Sequence, residues 1–119
     1  MNISIFHNPK CSKSRATLKL LNDQEINPEI VLYLKTPPTE TELSEVLKKL
    51  DMAPQHLIRF KESLAKTLGI SLADLRPDAE WIKLMVENPS LIERPIVITD
   101  KKAAIGRPPE KVLNILSAQ

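Results

Sequence analysis

Residues 3–15 read Ile3-Ser4-Ile5-Phe6-His7-Asn8-Pro9-Lys10-Cys11-Ser12-Lys13-Ser14-Arg15. The opening residues alternate apolar and polar side chains, which predicts a short strand over Ile3–His7. Past the turn, Ala16, Leu18, Leu20 and Leu21 predict an amphipathic helix from about Ser12 to Asn22, capped by Ser12 or Ser14. Cys11, the only cysteine of the chain, falls between the two. A helix N-terminus exposes unpaired backbone N–H groups. With the helix dipole these favour a thiolate, the reactive form of sulfur, and the same geometry binds oxyanions. Lys10, Lys13 and Arg15 add positive charge nearby. A lone cysteine is often inert core filler, but Cys11 has no apolar neighbour within three residues on either side. The stretch therefore predicts one site that holds an anion and attacks it.

Working outward, Glu29–Leu34 is an almost unbroken apolar run and predicts a second strand, buried on both faces of a sheet. Strand, helix and strand make a βαβ unit, which favours a parallel pair. Pro37-Pro38 breaks the chain, and Thr39 with Glu42 forms a capping-box pattern ahead of Leu43, Val46, Leu47 and Leu50 at helical spacing. Pro54–Leu57 predicts a short helical turn, and Phe60–Leu68 a helix stopped by Gly69. Ser71 with Asp74 marks a further turn. Asp78 is expected to cap a helix that turns Ile82, Met85 and Val86 to one face. Residues 39–90 thus read as all-helical. Pro95–Thr99 and Ala103–Ile105 then predict strands joined by a turn at Asp100-Lys101-Lys102, and Val112, Leu113, Ile115 and Leu116 a closing helix.

The order β-α-β, helices, β-β-α predicts an α/β chain with a thioredoxin-like fold: a mixed four-stranded sheet with a helical insertion at about 39–90, in a single domain over 1–119. In that fold the reactive thiol follows the first strand, and a typically cis proline before the third strand faces it. Pro95 occupies that place.

Composition narrows the function classes. The chain has 119 residues, 42% of them apolar and 27% charged, and a net charge of +2. That balance does not call for nucleic acid, and one Trp, one Tyr and two Phe make no stacking surface for single strands. Ile30–Leu34, about five residues, is among the longest apolar runs, so no membrane span is expected. The N-terminus lacks a basic-led apolar stretch, so no signal peptide is expected either. One cysteine excludes an intramolecular disulfide and a cysteine-rich zinc site. His7 and His56 lack metal-type spacing. These features fit a reducing, cytoplasmic setting with no metal and no bound cofactor.

An attack on an oxyanion needs fixed positive charge, and arginine pairs two oxygens with a fork that never deprotonates. Arg94 precedes Pro95 at the entry to the third strand, and Arg107 precedes Pro108 at the end of the fourth. Such boundary turns are rigid places for a functional side chain. Arg59 lies in the helical insertion and has no such argument from position. Arg15 reads either as an anion contact or as a first-turn cation. His7, four residues before Cys11, is placed to polarise the thiol or stabilise the thiolate, or else is a strand-end histidine bonded to backbone. Ser14, three residues after Cys11, is expected to aim its hydroxyl back at the sulfur, or else to cap the helix.

His7–Arg15, Leu32-Tyr33-Leu34 followed by Pro37-Pro38, Leu57-Ile58-Arg59, Glu93-Arg94-Pro95-Ile96-Val97 and Ile105-Gly106-Arg107-Pro108 together resemble the ArsC family of glutaredoxin-dependent arsenate reductases. The resemblance runs over nearly the whole chain. It implies that Cys11 is the nucleophile, that Arg59, Arg94 and Arg107 bind the arsenic oxyanion, and that His7 and Ser14 tune the thiol. It also implies glutathione as co-substrate and glutaredoxin as partner. With no second cysteine the chain cannot resolve its own adduct, so the cysteine count asks for an external thiol as well.

Other classes remain beside this one. The phosphatase-like arsenate reductases need an arginine six residues after the cysteine, and Thr17 stands there, so that reading fails. Spx-type members of the broader family are regulators that bind RNA polymerase, many with a Cys-x-x-Cys switch. Here Ser14 takes the second place. A thiol-dependent reductase of another oxyanion, or of a glutathione adduct, fits the same residue types.

Overall fold

A computed structural model describes residues 2–116. In chain order it contains β1 (Ser4–Phe6), α1 (Ser12–Asp23), β2 (Glu29–Val31), α2 (Glu40–Leu50), α3 (Ser63–Leu68), α4 (Asp78–Glu87), β3 (Ile96–Ile98), β4 (Ala103–Ile105) and α5 (Leu113–Leu116). Short 3-10 turns lie at Pro54–Leu57, Pro89–Leu91 and Pro109–Val112. The elements group into two units, 1–36 with 94–119, and 37–93.

The first unit holds the sheet, ordered β2-β1-β3-β4. β1 and β2 run parallel with Ile5 opposite Ile30, and β3 is antiparallel to both β1 and β4. This is the mixed four-stranded sheet of a thioredoxin-like fold. Successive strand residues face opposite sides, and β1 uses both. Ile5 packs with Leu21, Val97, Val112 and Ile115 in one cluster, and Leu18, Ile26 and Leu116 close its margin. On the other side Phe6 stacks on Tyr33, ring centroids 6.1 Å apart. Fully burying each such aliphatic side chain contributes about 1.5–3 kcal/mol.

Three expectations fail in this unit. The second strand is three residues long and lies at the sheet edge, with Ile30 49% exposed and Leu34 43% exposed. The chain turns directly after it, where the Lys35 and Thr36 amides both donate to the Leu32 carbonyl. An apolar run marks strand propensity but does not say whether a neighbour covers it. On α1, Ala16 is exposed and the buried residues are Ser14, Thr17 and Leu21, so the inward face is polar at the head of the helix. Neither serine caps it: Cys11 itself is the N-cap residue and makes no side-chain cap bond.

The second unit is helical. The Thr39–Glu42 capping box forms in full, and α2 buries Leu43, Val46 and Leu47. α3 begins at Ser63, later than expected, and ends at Gly69, whose φ of 69° is the left-handed conformation glycine tolerates best. Ser71 and Asp74 close a turn through three hydrogen bonds, two of them to the Asp74 carboxylate. Pro77, not Asp78, stands at the N-cap position of α4 and makes no side-chain cap bond, and the helix buries Trp81 and Met85 while Ile82 and Val86 stay partly exposed. Trp81 meets Phe60 edge-on at 5.8 Å and carries the Arg76 guanidinium over its ring at 5.4 Å. These two partners explain why the tryptophan, one position from the expected stripe, sets the rotation of the helix.

Candidate active site

The segment between β1 and α1 is built by its own backbone. The His7 amide donates to the Val31 carbonyl at 2.9 Å, continuing the β1–β2 ladder by one residue. The Cys11 amide donates to the Asn8 carbonyl at 2.9 Å, and the Lys10 amide to Asn8 Oδ1 at 3.0 Å. Asn8 thus closes the turn from both its backbone and its side chain, as asparagine before a proline does well. Arg15 reaches back with Nη1 to the Pro9 carbonyl at 2.9 Å, so it braces this loop.

Cys11 stands at the head of α1 with extended backbone, φ −96° and ψ 124°. Its residue is only 9% exposed, although its sequence neighbours are polar. Burial here comes from the surrounding fold, which local sequence does not report. The first-turn amides of α1 and the Arg107 guanidinium both present hydrogen-bond donors at this position, where an anion can be received. Arg107 Nη2 lies 3.7 Å from Cys11 Sγ, and Arg107 Nε donates to the Arg94 carbonyl at 2.8 Å. The second bond fixes the fork of the guanidinium while the first aims it at sulfur. Arg94 and Arg107 each precede a cis proline, Pro95 and Pro108. The first was expected from the fold, and the second was not. Nε and Nη1 of Arg94 are shielded from solvent.

His7 and Ser14 are joined to each other. Ser14, fully buried, accepts from the Asn8 amide at 3.0 Å and shares a 2.6 Å hydrogen bond with His7 Nδ1. Burial, and then the nearby Arg15 charge, hold the His7 imidazole below its ordinary pKa, so it is neutral at neutral pH. The direction of this bond follows the ring tautomer: Ser14 donates to Nδ1 when the ring proton is on Nε2, and accepts when it is on Nδ1. The hydrogen bonds of Ser14 therefore run to Asn8 and His7, where the sequence pointed its hydroxyl at the sulfur.

Arg59 belongs to the second unit. An isolated antiparallel bridge between Ile58 and Ile92 holds its backbone, with the Arg59 amide donating to Leu91 at 2.7 Å. Its guanidinium is flanked by Glu62 at 2.9 Å from Nη1 and by Glu93 at 3.8 Å from Nε. Among the described residues no group of three or more His, Cys, Asp or Glu side chains is arranged to hold a metal ion. No described helix is long and apolar enough to cross a membrane.

Two residues of this region escaped the reading of the sequence. Asn8 was passed over, although asparagine before a proline is a turn signal that could have marked its role in closing the cysteine loop. Gly106 was read only as part of the Ile105-Gly106-Arg107-Pro108 motif, with no role of its own.

The fold and this site define a class: a thioredoxin-like protein with one cysteine at the head of its first helix and an arginine from beyond the hairpin laid against the sulfur. The pattern of the family described as "ArsC family" matches residues 6–115. The chain belongs to the ArsC family. It is 50% identical over 115 residues to YfgD of Escherichia coli strain K12, covering 96% of each chain. It is 48% identical over 117 residues to a protein of Haemophilus influenzae named arsenate reductase, covering 98% of this chain and 100% of that one. The solved structure of an arsenate reductase from Vibrio cholerae superposes with a TM-score of 0.91 at 45% identity, over 97% of this chain and 98% of that chain.

Proposed function

We propose that this protein is an arsenate reductase that uses Cys11 as its nucleophile. One observation carries the reading: the Cys11 sulfur sits at the N-terminus of α1 with Arg107 Nη2 3.7 Å away. A thiolate and a guanidinium so placed make both a nucleophile and a seat for the oxyanion it attacks. The names of the relatives in Haemophilus influenzae and Vibrio cholerae supply the substrate.

In this reading the Cys11 thiolate attacks arsenic of arsenate. A sulfur–arsenic bond forms, and one oxygen leaves as water after protonation. Arg107 and Arg94 offset the charge on the remaining oxygens, and the family resemblance implies a part in oxyanion binding for Arg59 as well. The neutral His7, held by Ser14, tunes the thiol from the strand side of the turn. A glutathione thiolate then attacks the Cys11 sulfur. The sulfur–sulfur bond forms, the sulfur–arsenic electron pair passes to arsenic, and arsenic(V) leaves as arsenite, arsenic(III). A glutaredoxin thiolate removes glutathione from Cys11 and restores the thiol. This route needs a reducing compartment, the cytoplasm.

The test is NADPH oxidation coupled through glutathione reductase, with arsenate, glutathione and glutaredoxin, run beside Cys11→Ser. Turnover by the parent and none by the variant is the expected result. A well-folded parent that fails to turn over with active coupling enzymes overturns the reading.

A further inference from the structure

We propose that Gly106 is a positioning residue for Arg107, and that its missing side chain sets the distance from the guanidinium to the Cys11 sulfur. The inference rests on the proposed role of Arg107, but its test reads the cysteine directly.

Gly106 is buried, and it shows no positive φ. Backbone freedom therefore does not explain a glycine here; space does. A Cβ at this position would overlap Thr17 Oγ1, lie 3.1 Å from Thr17 Cγ2 and lie 2.9 Å from Pro95 Cγ. Neither neighbour yields easily. Pro95 is a closed ring. Thr17 is fully buried, stiff at χ1, and its hydroxyl donates to the Lys13 carbonyl at 2.8 Å. The Gly106 amide also donates to the Pro95 carbonyl at 2.9 Å. The end of β4 is thus pressed between the proline that opens β3 and the second turn of α1.

The next residue is Arg107. Its amide is held by the Ile105 carbonyl at 2.9 Å, its Nε by the Arg94 carbonyl, and its Nη2 reaches Cys11 Sγ. Cys11 heads the same helix that carries Thr17. Widening the Gly106–Thr17 seam therefore moves the arginine and the sulfur apart, because each is anchored to one side of it. A methyl group at 106 widens it by several tenths of an ångström or more, and contacts at a reacting centre are sensitive to shifts of that size.

The experiment measures the rate of Cys11 alkylation by iodoacetamide at neutral pH, and its slowing by added arsenate, in the parent, Gly106→Ala, Thr17→Ala and Gly106→Ala/Thr17→Ala. The expected result is alkylation at least threefold slower and arsenate protection at least tenfold weaker in Gly106→Ala, with helical circular dichroism retained. The double variant, relieved of both threonine contacts, recovers most of the rate and of the protection. If Gly106→Ala does not fold, the double variant against Thr17→Ala carries the test, with a residual loss from the Pro95 contact expected. A folded Gly106→Ala with parental alkylation and protection overturns the proposal, as does a double variant no better than Gly106→Ala. Alkylation is read without turnover, so a protein that fails to reduce arsenate still answers the question about Gly106.

Discussion

Arg107 Nη2 lies 3.7 Å from Cys11 Sγ, although 96 residues separate the two in the chain. The contact joins the end of the β3–β4 hairpin to the head of α1, and the Arg94 carbonyl holds the guanidinium in place from behind. A cation fixed in this way needs no reorganisation when negative charge develops on a bound oxyanion.

Removal of that cation is the sharpest mutational test. Arg107→Ala is expected to lower kcat/KM for arsenate by about 10²-fold, the usual loss for one preorganised oxyanion donor. Arg107→Lys is expected to recover little, since an ammonium cannot span both the Arg94 carbonyl and the site. Steady-state kinetics with a thermal melt as control check both.

Ser14→Ala leaves the Asn8 amide without its buried acceptor and His7 Nδ1 without its partner. We expect a loss of about 1–3 kcal/mol in stability. Urea unfolding followed by circular dichroism measures it. A midpoint equal to the parent's would show that water replaces both bonds.

The depressed pKa of His7 makes stability depend on pH. The folded state holds the imidazole neutral, so the unfolded chain binds the extra proton first. This contribution is fully present above about pH 6.5, the ordinary histidine value. It is lost as pH falls below that value toward the folded-state pKa. The parent should therefore melt at a lower temperature at pH 5.5 than at pH 7.5, and His7→Gln should show a shallower slope over the same window. Parallel slopes would remove His7 as the cause.

Thr39→Ala breaks the capping box at the start of α2, where the Thr39 hydroxyl accepts from the Glu42 amide at 3.1 Å and Glu42 accepts from the Thr39 amide at 2.9 Å. The expected cost is about 1 kcal/mol of stability. Cys11 alkylation should not change, because both bonds of the cap run only between Thr39 and Glu42. Denaturant midpoint and alkylation rate, taken together, check this.

Local pattern made much of the fold readable. β1 and α1 lie within a residue or two of where alternation and helical spacing put them, and the Thr39–Glu42 signature marks the true start of α2. The misreadings share a cause. Glu29–Leu34 looked like an inner strand, and Ile82 and Val86 looked like the buried stripe of α4. In both cases hydrophobicity was read without its neighbours: the edge of the sheet leaves Ile30 open, and Phe60 with Arg76 draws Trp81 inward.

A strand, a turn and a helix with Cys11 at the joint, the order of elements around them, and the family to which the motifs belong can all be read from the chain's residues. These depend on interactions within a few residues, which periodicity, caps and turn formers express directly. That Arg107 meets the sulfur, that Ser14 bonds to His7 and Asn8, and that Gly106 is pressed against Thr17 and Pro95 came from the packing of distant segments. Those contacts depend on which strand lies beside which and how closely the helix packs on them. Side-chain volume and sheet order set that distance, and neither is written in any short stretch of the chain.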